Sequence, residues 1–179
     1  MKKTYIFTSE RLGFRNWRQE DLDAFAAINA DKDVMEHFPK PLTKSETAAF
    51  IQRLQKHAID RGHCYYATEL LETGELIGFI GLAYQNYEAE FNPATDIGWR
   101  LKKSAWGKGY ATEGATRCLA YGFNELQLDR VIAVCTLGND RSEHVMKKLG
   151  MTKIGSFIHP KLMEYPDFAT CIWYEIKNN

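Results

Sequence analysis

The sequence lacks any apolar run long enough to cross a bilayer, so no transmembrane helix is expected. It has no Pro-, Gly- or Ser-rich stretch of the kind that separates domains, and residues 1–179 are expected to fold as one domain. It has no excess of either charge. With 23 Lys and Arg against 23 Asp and Glu, no global field draws the chain to nucleic acid or to an anionic membrane, and any polyanion must be met locally. No Cys-x-x-Cys pair is present; Cys64, Cys118, Cys135 and Cys171 stand far apart and read as buried, reduced thiols. His37, His57, His63, His144 and His159 show no ligand spacing with one another or with the cysteines, and no metal is expected. Met1 to Glu10 carries lysines without an apolar segment behind them. A secretory signal is therefore not expected, and the cytoplasm is the expected location.

What is there is periodicity that changes along the chain. Ser9 to Trp17 reads as a strand, and Glu20 to Ala30 as a helix with Leu22, Phe25 and Ala26 at helical spacing. Thr43-Lys44-Ser45-Glu46 is a capping box opening a second helix, which Gly62 ends. Cys64 to Leu71 and Leu76 to Tyr84 flank Glu72-Thr73-Gly74-Glu75 as a hairpin, and Thr95 to Lys102 adds a third strand. From Gly109 to Leu126 the period is helical again. A strand at Arg130 to Thr136, a helix capped by Asn139 and stopped at Gly150, and strands near 151–158 and 169–176 complete the order. Strand, helix, strand in the second half requires a parallel crossover in an otherwise antiparallel sheet, which makes the fold a mixed α/β sheet.

The stretch Asp96-Ile97-Gly98-Trp99-Arg100-Leu101 followed by Ser104-Ala105-Trp106-Gly107-Lys108-Gly109-Tyr110-Ala111-Thr112-Glu113 places strand, two-glycine loop and helix in succession. Such a loop leaves main-chain N–H groups at a helix N-terminus, where the helix dipole favours phosphate. A Walker loop needs Ser or Thr after Gly107-Lys108, and Gly109 stands there. A dinucleotide fingerprint needs a third glycine near Thr112, and there is none.

The loop instead resembles the pyrophosphate loop of GNAT acetyltransferases, in the form found in the RimJ/RimL-type branch, with Ser104 where the superfamily pattern usually has Gln or Arg. Ser9-Glu10-Arg11-Leu12 with Trp17, Gly78-Phe79-Ile80-Gly81-Leu82, Asn139-Asp140-Arg141-Ser142, and His159-Pro160 with Tyr174 extend the likeness over most of the chain. The resemblance implies a GNAT fold in which the strands near Trp99 and Val131 separate to admit acetyl-CoA. It implies that the backbone of Trp99, Arg100 and Leu101 pairs with the pantetheine arm, that Gly107, Lys108, Gly109, Tyr110, Ala111 and Thr112 hold the pyrophosphate, and that Asn139 binds the pantetheine side. Ser142 then sits near the thioester sulfur. The reaction it implies is direct transfer to an amine, with neither a metal nor a covalent enzyme intermediate. The acceptor is a peptide or protein N-terminus by analogy with the branch, or a small molecule such as a polyamine, amino acid or aminoglycoside. A sensor that binds acyl-CoA without catalysis is the reading from another class, and the assembly is a monomer or a homodimer.

Acetyl transfer needs a neutral amine, a donor for the developing oxyanion and a proton for the departing thiolate. Asp96 is the first candidate for the base, with Glu88 and Glu90 in reserve; a solvated strand-edge acid is its alternative reading. Ser142 is the candidate proton donor, against an ordinary first-turn serine bonded to its own backbone. Were Glu88, Glu90 and Asp96 to line the acceptor side together, a cationic small molecule would be favoured. Cys135 has no recognisable base partner and reads as core.

Overall fold

A computed structural model describes residues 4–178. Strands β1 (Phe7–Thr8), β2 (Leu12–Arg15), β3 (Tyr65–Leu70), β4 (Leu76–Gln85), β5 (Ala94–Leu101), β6 (Arg130–Thr136), β7 (Thr152–Ile158) and β8 (Thr170–Lys177) form one sheet in the order β1-β2-β3-β4-β5-β6-β8-β7. Among the described residues only β5 and β6 pair in parallel, and the crossover between them is α3 (Tyr110–Asn124). Helices α1 (Asp21–Ala30) and α2 (Lys44–Arg61) follow β2, and α4 (Asp140–Lys148) follows β6. A single turn, α5 (Pro166–Ala169), which the sequence pattern does not announce, leads into β8.

The expected capping box forms: Thr43 Oγ1 accepts from Glu46 N–H (3.2 Å), and the Glu46 carboxylate accepts from Thr43 N–H (2.8 Å). Gly62 closes α2 in the left-handed region at φ 75°. The strand expected over Ser9 to Trp17 is shorter, β2 at Leu12–Arg15, and the residues before it turn back to β1 in a tight hairpin. Ser9 N–H donates to Leu12 O (2.9 Å) and Leu12 N–H donates to Ser9 Oγ (3.2 Å), which turns the chain between β1 and β2.

Alternation along β4 sorts its side chains between two layers. Phe79 meets Phe25 of α1 and Phe50 of α2, while Ile80 and Leu82 meet α3 on the opposite face. A methyl group on Gly114 of α3 would fall 2.4 Å from Ile80 Cδ1, so the missing side chain is what lets this helix lie close against the sheet. All four cysteines are buried and unpaired. Arg15 is buried between Asp21 (2.7 Å) and Glu69 (2.5 Å), tying β2 to α1 and β3.

Candidate functional site

The sheet is parted at its centre. β5 is held to β4 from Gln85↔Ala94 to Gly78↔Leu101, and β6 is held to β8 from Arg130↔Lys177 to Thr136↔Cys171. Between them only Asp96↔Ile132 is in register. Each strand follows its long antiparallel partner, and the two diverge beyond that rung. The separation expected beside Trp99 is there; on β6 it opens past Ile132, and Val131 lies at the closed end.

The wedge leads into a cavity of about 420 Å³ lined by Trp99, Arg100, Leu101, Gly107, Gly109, Tyr110, Ala111, Thr112, Asn139 and Ser142 among others. Gly107 and Gly109 have φ of 73° and 81°. A side chain at Gly107 would meet open space, so conformation and not packing calls for glycine there. The first bond of α3 runs from Glu113 N–H to Gly109 O (3.0 Å), which leaves the N–H groups of Tyr110, Ala111 and Thr112 without intrahelical acceptors. Those donors suit a phosphate, and the open main-chain edge of β5 suits an extended arm with amides. The residues present therefore fit acetyl-CoA.

Two details qualify the expected contacts. Leu101 O already accepts from Trp106 Nε1 (2.8 Å), so that carbonyl has a partner within the protein. The Lys108 side chain is exposed and does not line the cavity; its carbonyl accepts from Arg11 Nη1 (3.1 Å). Arg11 also chelates Glu113 through Nε (2.7 Å) and Nη2 (2.6 Å), and Glu113 accepts from Ser9 Oγ (2.6 Å) and Arg11 N–H (2.8 Å). Burial pushes the Glu113 carboxyl up, but these donors prevail and hold it below the usual glutamate range. The turn between β1 and β2 is thus clamped to the glycine loop.

A second cavity, of about 290 Å³, opens on the face covered by α1 and α2. His37, Phe38, Trp99, Arg100, Asn139 and Ser142 line both, so these residues form the passage between the two. Asn139 Oδ1 accepts from Ser142 N–H (3.1 Å) as the cap of α4. The Ser142 hydroxyl has no hydrogen bond among the described residues, which leaves the local self-bonded reading without support.

Asp96 stands on the wall of the second cavity, buried on an interior strand rather than solvated at an edge. Tyr65 Oη lies 2.7 and 2.8 Å from its two oxygens, and Gln85 Nε2 donates at 3.2 Å. Burial raises the carboxyl to about 6 despite these donors. Neither Tyr65 nor Gln85 is suggested by the sequence as a site residue. A trace exists: Tyr65, Gly81 and Gly98 share one row of the sheet, and the missing side chain of Gly98 leaves room for the Tyr65 ring beside Asp96. Glu88 and Glu90 are exposed and line neither cavity, so the condition that would favour a cationic small molecule, three acids together on the acceptor side, is not met. Cys135 does line the chamber, but burial pushes its thiol up to about 12, which keeps it protonated and poorly nucleophilic. No group of three or more His, Cys, Asp or Glu among the described residues is placed to hold a metal ion, and none of their helices is long and apolar enough to cross a membrane.

A family model described as an acetyltransferase (GNAT) domain matches residues 11–152. The uncharacterized N-acetyltransferase YnaD of Bacillus subtilis (strain 168) is 32% identical over 151 residues, 84% of each chain. An acetyltransferase (GNAT family) from Bacillus anthracis superposes with a TM-score of 0.78 at 30% identity, covering 95% of this chain and 96% of its own. RimL, a ribosomal L7/L12 alpha-N-protein acetyltransferase solved with coenzyme A, superposes with a TM-score of 0.78 over 97% and 98% of the two chains. At 18% identity that likeness is one of fold alone.

Proposed function

The chain belongs to the GNAT acetyltransferase family and is an acyltransferase; from that premise we propose that it moves an acetyl group from acetyl-CoA directly to a primary amine, on a small molecule or a peptide N-terminus. The observation that carries this reading is the meeting of two cavities at Trp99, Asn139 and Ser142, one beside free helix N-terminal donors and the other beside the buried Asp96. When bound, acetyl-CoA supplies an already activated acyl group as a thioester.

The N–H groups from Gly107 to Thr112 hold the pyrophosphate, and the main chain of Trp99 to Leu101 with Asn139 holds the pantetheine arm. Asp96, ionised above about pH 6, takes the proton that the attacking amine must lose. Tyr65 and Gln85 keep that carboxylate oriented. The Ser142 hydroxyl, unengaged at the passage, supplies a proton to the departing sulfur. Residues 1–179 act as one catalytic domain in the cytoplasm, in the manner of the RimJ/RimL-type branch.

The test is release of free thiol from acetyl-CoA by the purified protein across small amines and peptides with free N-termini. Acceptor-dependent release is expected. Asp96→Asn is expected to lower kcat by about 10²- to 10⁴-fold, the usual contribution of a positioned base. Acetyl-CoA binding by calorimetry without release for any acceptor overturns the reading in favour of a sensor.

A further inference from the structure

Two arginines of this fold are drawn into its interior, and the fold treats them differently. Arg15 lies between two buried carboxylates. Arg100 lines both cavities, and no carboxylate among the described residues is within ion-pair distance of it. Among the described residues its one hydrogen bond goes to a neutral group, from Nη1 to Asn29 Oδ1 (2.7 Å). Its Nε is buried without a partner among the described residues. Phe38, Phe50 and Phe79 surround the guanidinium at 4.2, 5.7 and 5.5 Å, which eases the charge but satisfies no N–H donor. Removing a cation from water without an anion is costly, and a planar fork of donors with positions to spare matches a carboxylate.

Position reinforces the chemistry. Asp96, Gly98 and Arg100 alternate to the same face of β5, so carboxylate and guanidinium address one chamber from the same strand. Gly98 between them contributes no side chain, and the Tyr65 ring fills that place. The chamber thus offers an anion beside a cation. A polyamine would meet a single buried acid and an opposing positive charge, and the acids that would suit it, Glu88 and Glu90, lie elsewhere.

We propose that Arg100 binds a carboxylate on the acceptor, so that the substrate is a molecule carrying a primary amine and a carboxylate a few bonds apart, with the amine toward Asp96. This rests on the acetyltransferase reading above. The same chemistry is offered by a free amino acid and by a peptide N-terminus next to an acidic side chain, and the two are separated by experiment.

The experiment compares kcat/KM for acceptors paired with their neutral amides: glycine, β-alanine and 4-aminobutanoate against the corresponding amides, and short peptides with Glu against Gln at the second position. Spermidine is included. At least one carboxylate is expected to exceed its amide by tenfold or more, and whichever set shows the preference identifies the source. In Arg100→Gln the ratio is expected to fall toward one through a rise in KM for the carboxylate member. Arg100→Lys is expected to restore part of the preference. Because each ratio compares two acceptors on one protein, general damage to the variant cancels, and the wild-type pairs stand without any variant. Equal rates on carboxylates and amides, preference for spermidine, or an unchanged ratio in Arg100→Gln each overturn the assignment while leaving the transferase intact. Absence of thiol release with every amine overturns the transferase reading, and this inference with it.

Discussion

Tyr65 and Asp96 belong to strands that do not touch in the ladder, yet the Tyr65 hydroxyl shares its proton between both carboxylate oxygens, at 2.7 and 2.8 Å. Hydrogen bonds to a carboxylate favour its charged form, so Tyr65 restrains the rise that burial imposes on Asp96. The pH profile of kcat/KM is expected to rise through about 6 as Asp96 ionises. Tyr65→Phe is expected to move that acidic limb to higher pH and leave the plateau within about tenfold of wild type. An unmoved limb would remove Asp96 as the group titrating there.

The same carboxyl carries a cost to stability. Its folded pKa, about 6, lies above the ordinary aspartate value near 4, so the folded state binds more protons between those limits. Stability contributed by this group is full below about pH 4 and falls as pH rises toward 6. Asp96→Asn is therefore expected to raise stability at pH 8 by up to about 3 kcal/mol, and to raise it little at pH 4, while activity is lost. Urea denaturation of both proteins at the two pH values checks this.

Gly109→Ala places a side chain at φ 81°, which costs about 1–2 kcal/mol and is met most simply by a shift of the loop. Acetyl-CoA affinity is expected to fall by about tenfold, the equivalent of 1.4 kcal/mol. The nearest atom to the new methyl is Arg11 Nη2 at 3.5 Å, so the circular dichroism spectrum should not change. Isothermal calorimetry on the two proteins decides it.

Glu113 gathers donors from Ser9 and Arg11, and Glu113→Gln leaves the guanidinium without its anion. A loss of about 1–3 kcal/mol is expected at pH 7, together with weaker acetyl-CoA binding because the same clamp fixes the glycine loop. Since the folded pKa of Glu113 is depressed, its contribution is present above the ordinary glutamate value and is lost as pH falls through the folded one. The gap between wild type and variant should therefore narrow in acid, as thermal melts across pH would show.

The elements that could be read from the chain are those whose signals are local. Thr43 with Glu46 and Gly62 bound α2, and Asn139 caps α4, because each acts within a few residues of itself. The loop at Gly107 and Gly109 was legible because positive φ demands glycine wherever it occurs. The break between β1 and β2 was not, since the local Ser9–Leu12 bonds that make the turn are backed by Glu113, 102 positions beyond Arg11. Tyr65 was missed because its approach to Asp96 is a product of register across three strands. The sequence marks Arg100 only through its main chain; which way its side chain faces, and that no carboxylate among the described residues pairs with it, are facts of assembly.

The two halves of the sheet share one parallel rung, Asp96↔Ile132, and are otherwise joined by α3 and the core packed beneath it. Strands β1 to β5 and strands β6, β8 and β7 are each laced by antiparallel ladders, so main-chain bonding across the sheet is sparsest at its middle. Anything extended that enters the gap and bonds to its edge acts as a missing rung. A ligand that binds the folded chain there and not the unfolded one is expected to raise its stability by an amount set by ligand concentration relative to Kd.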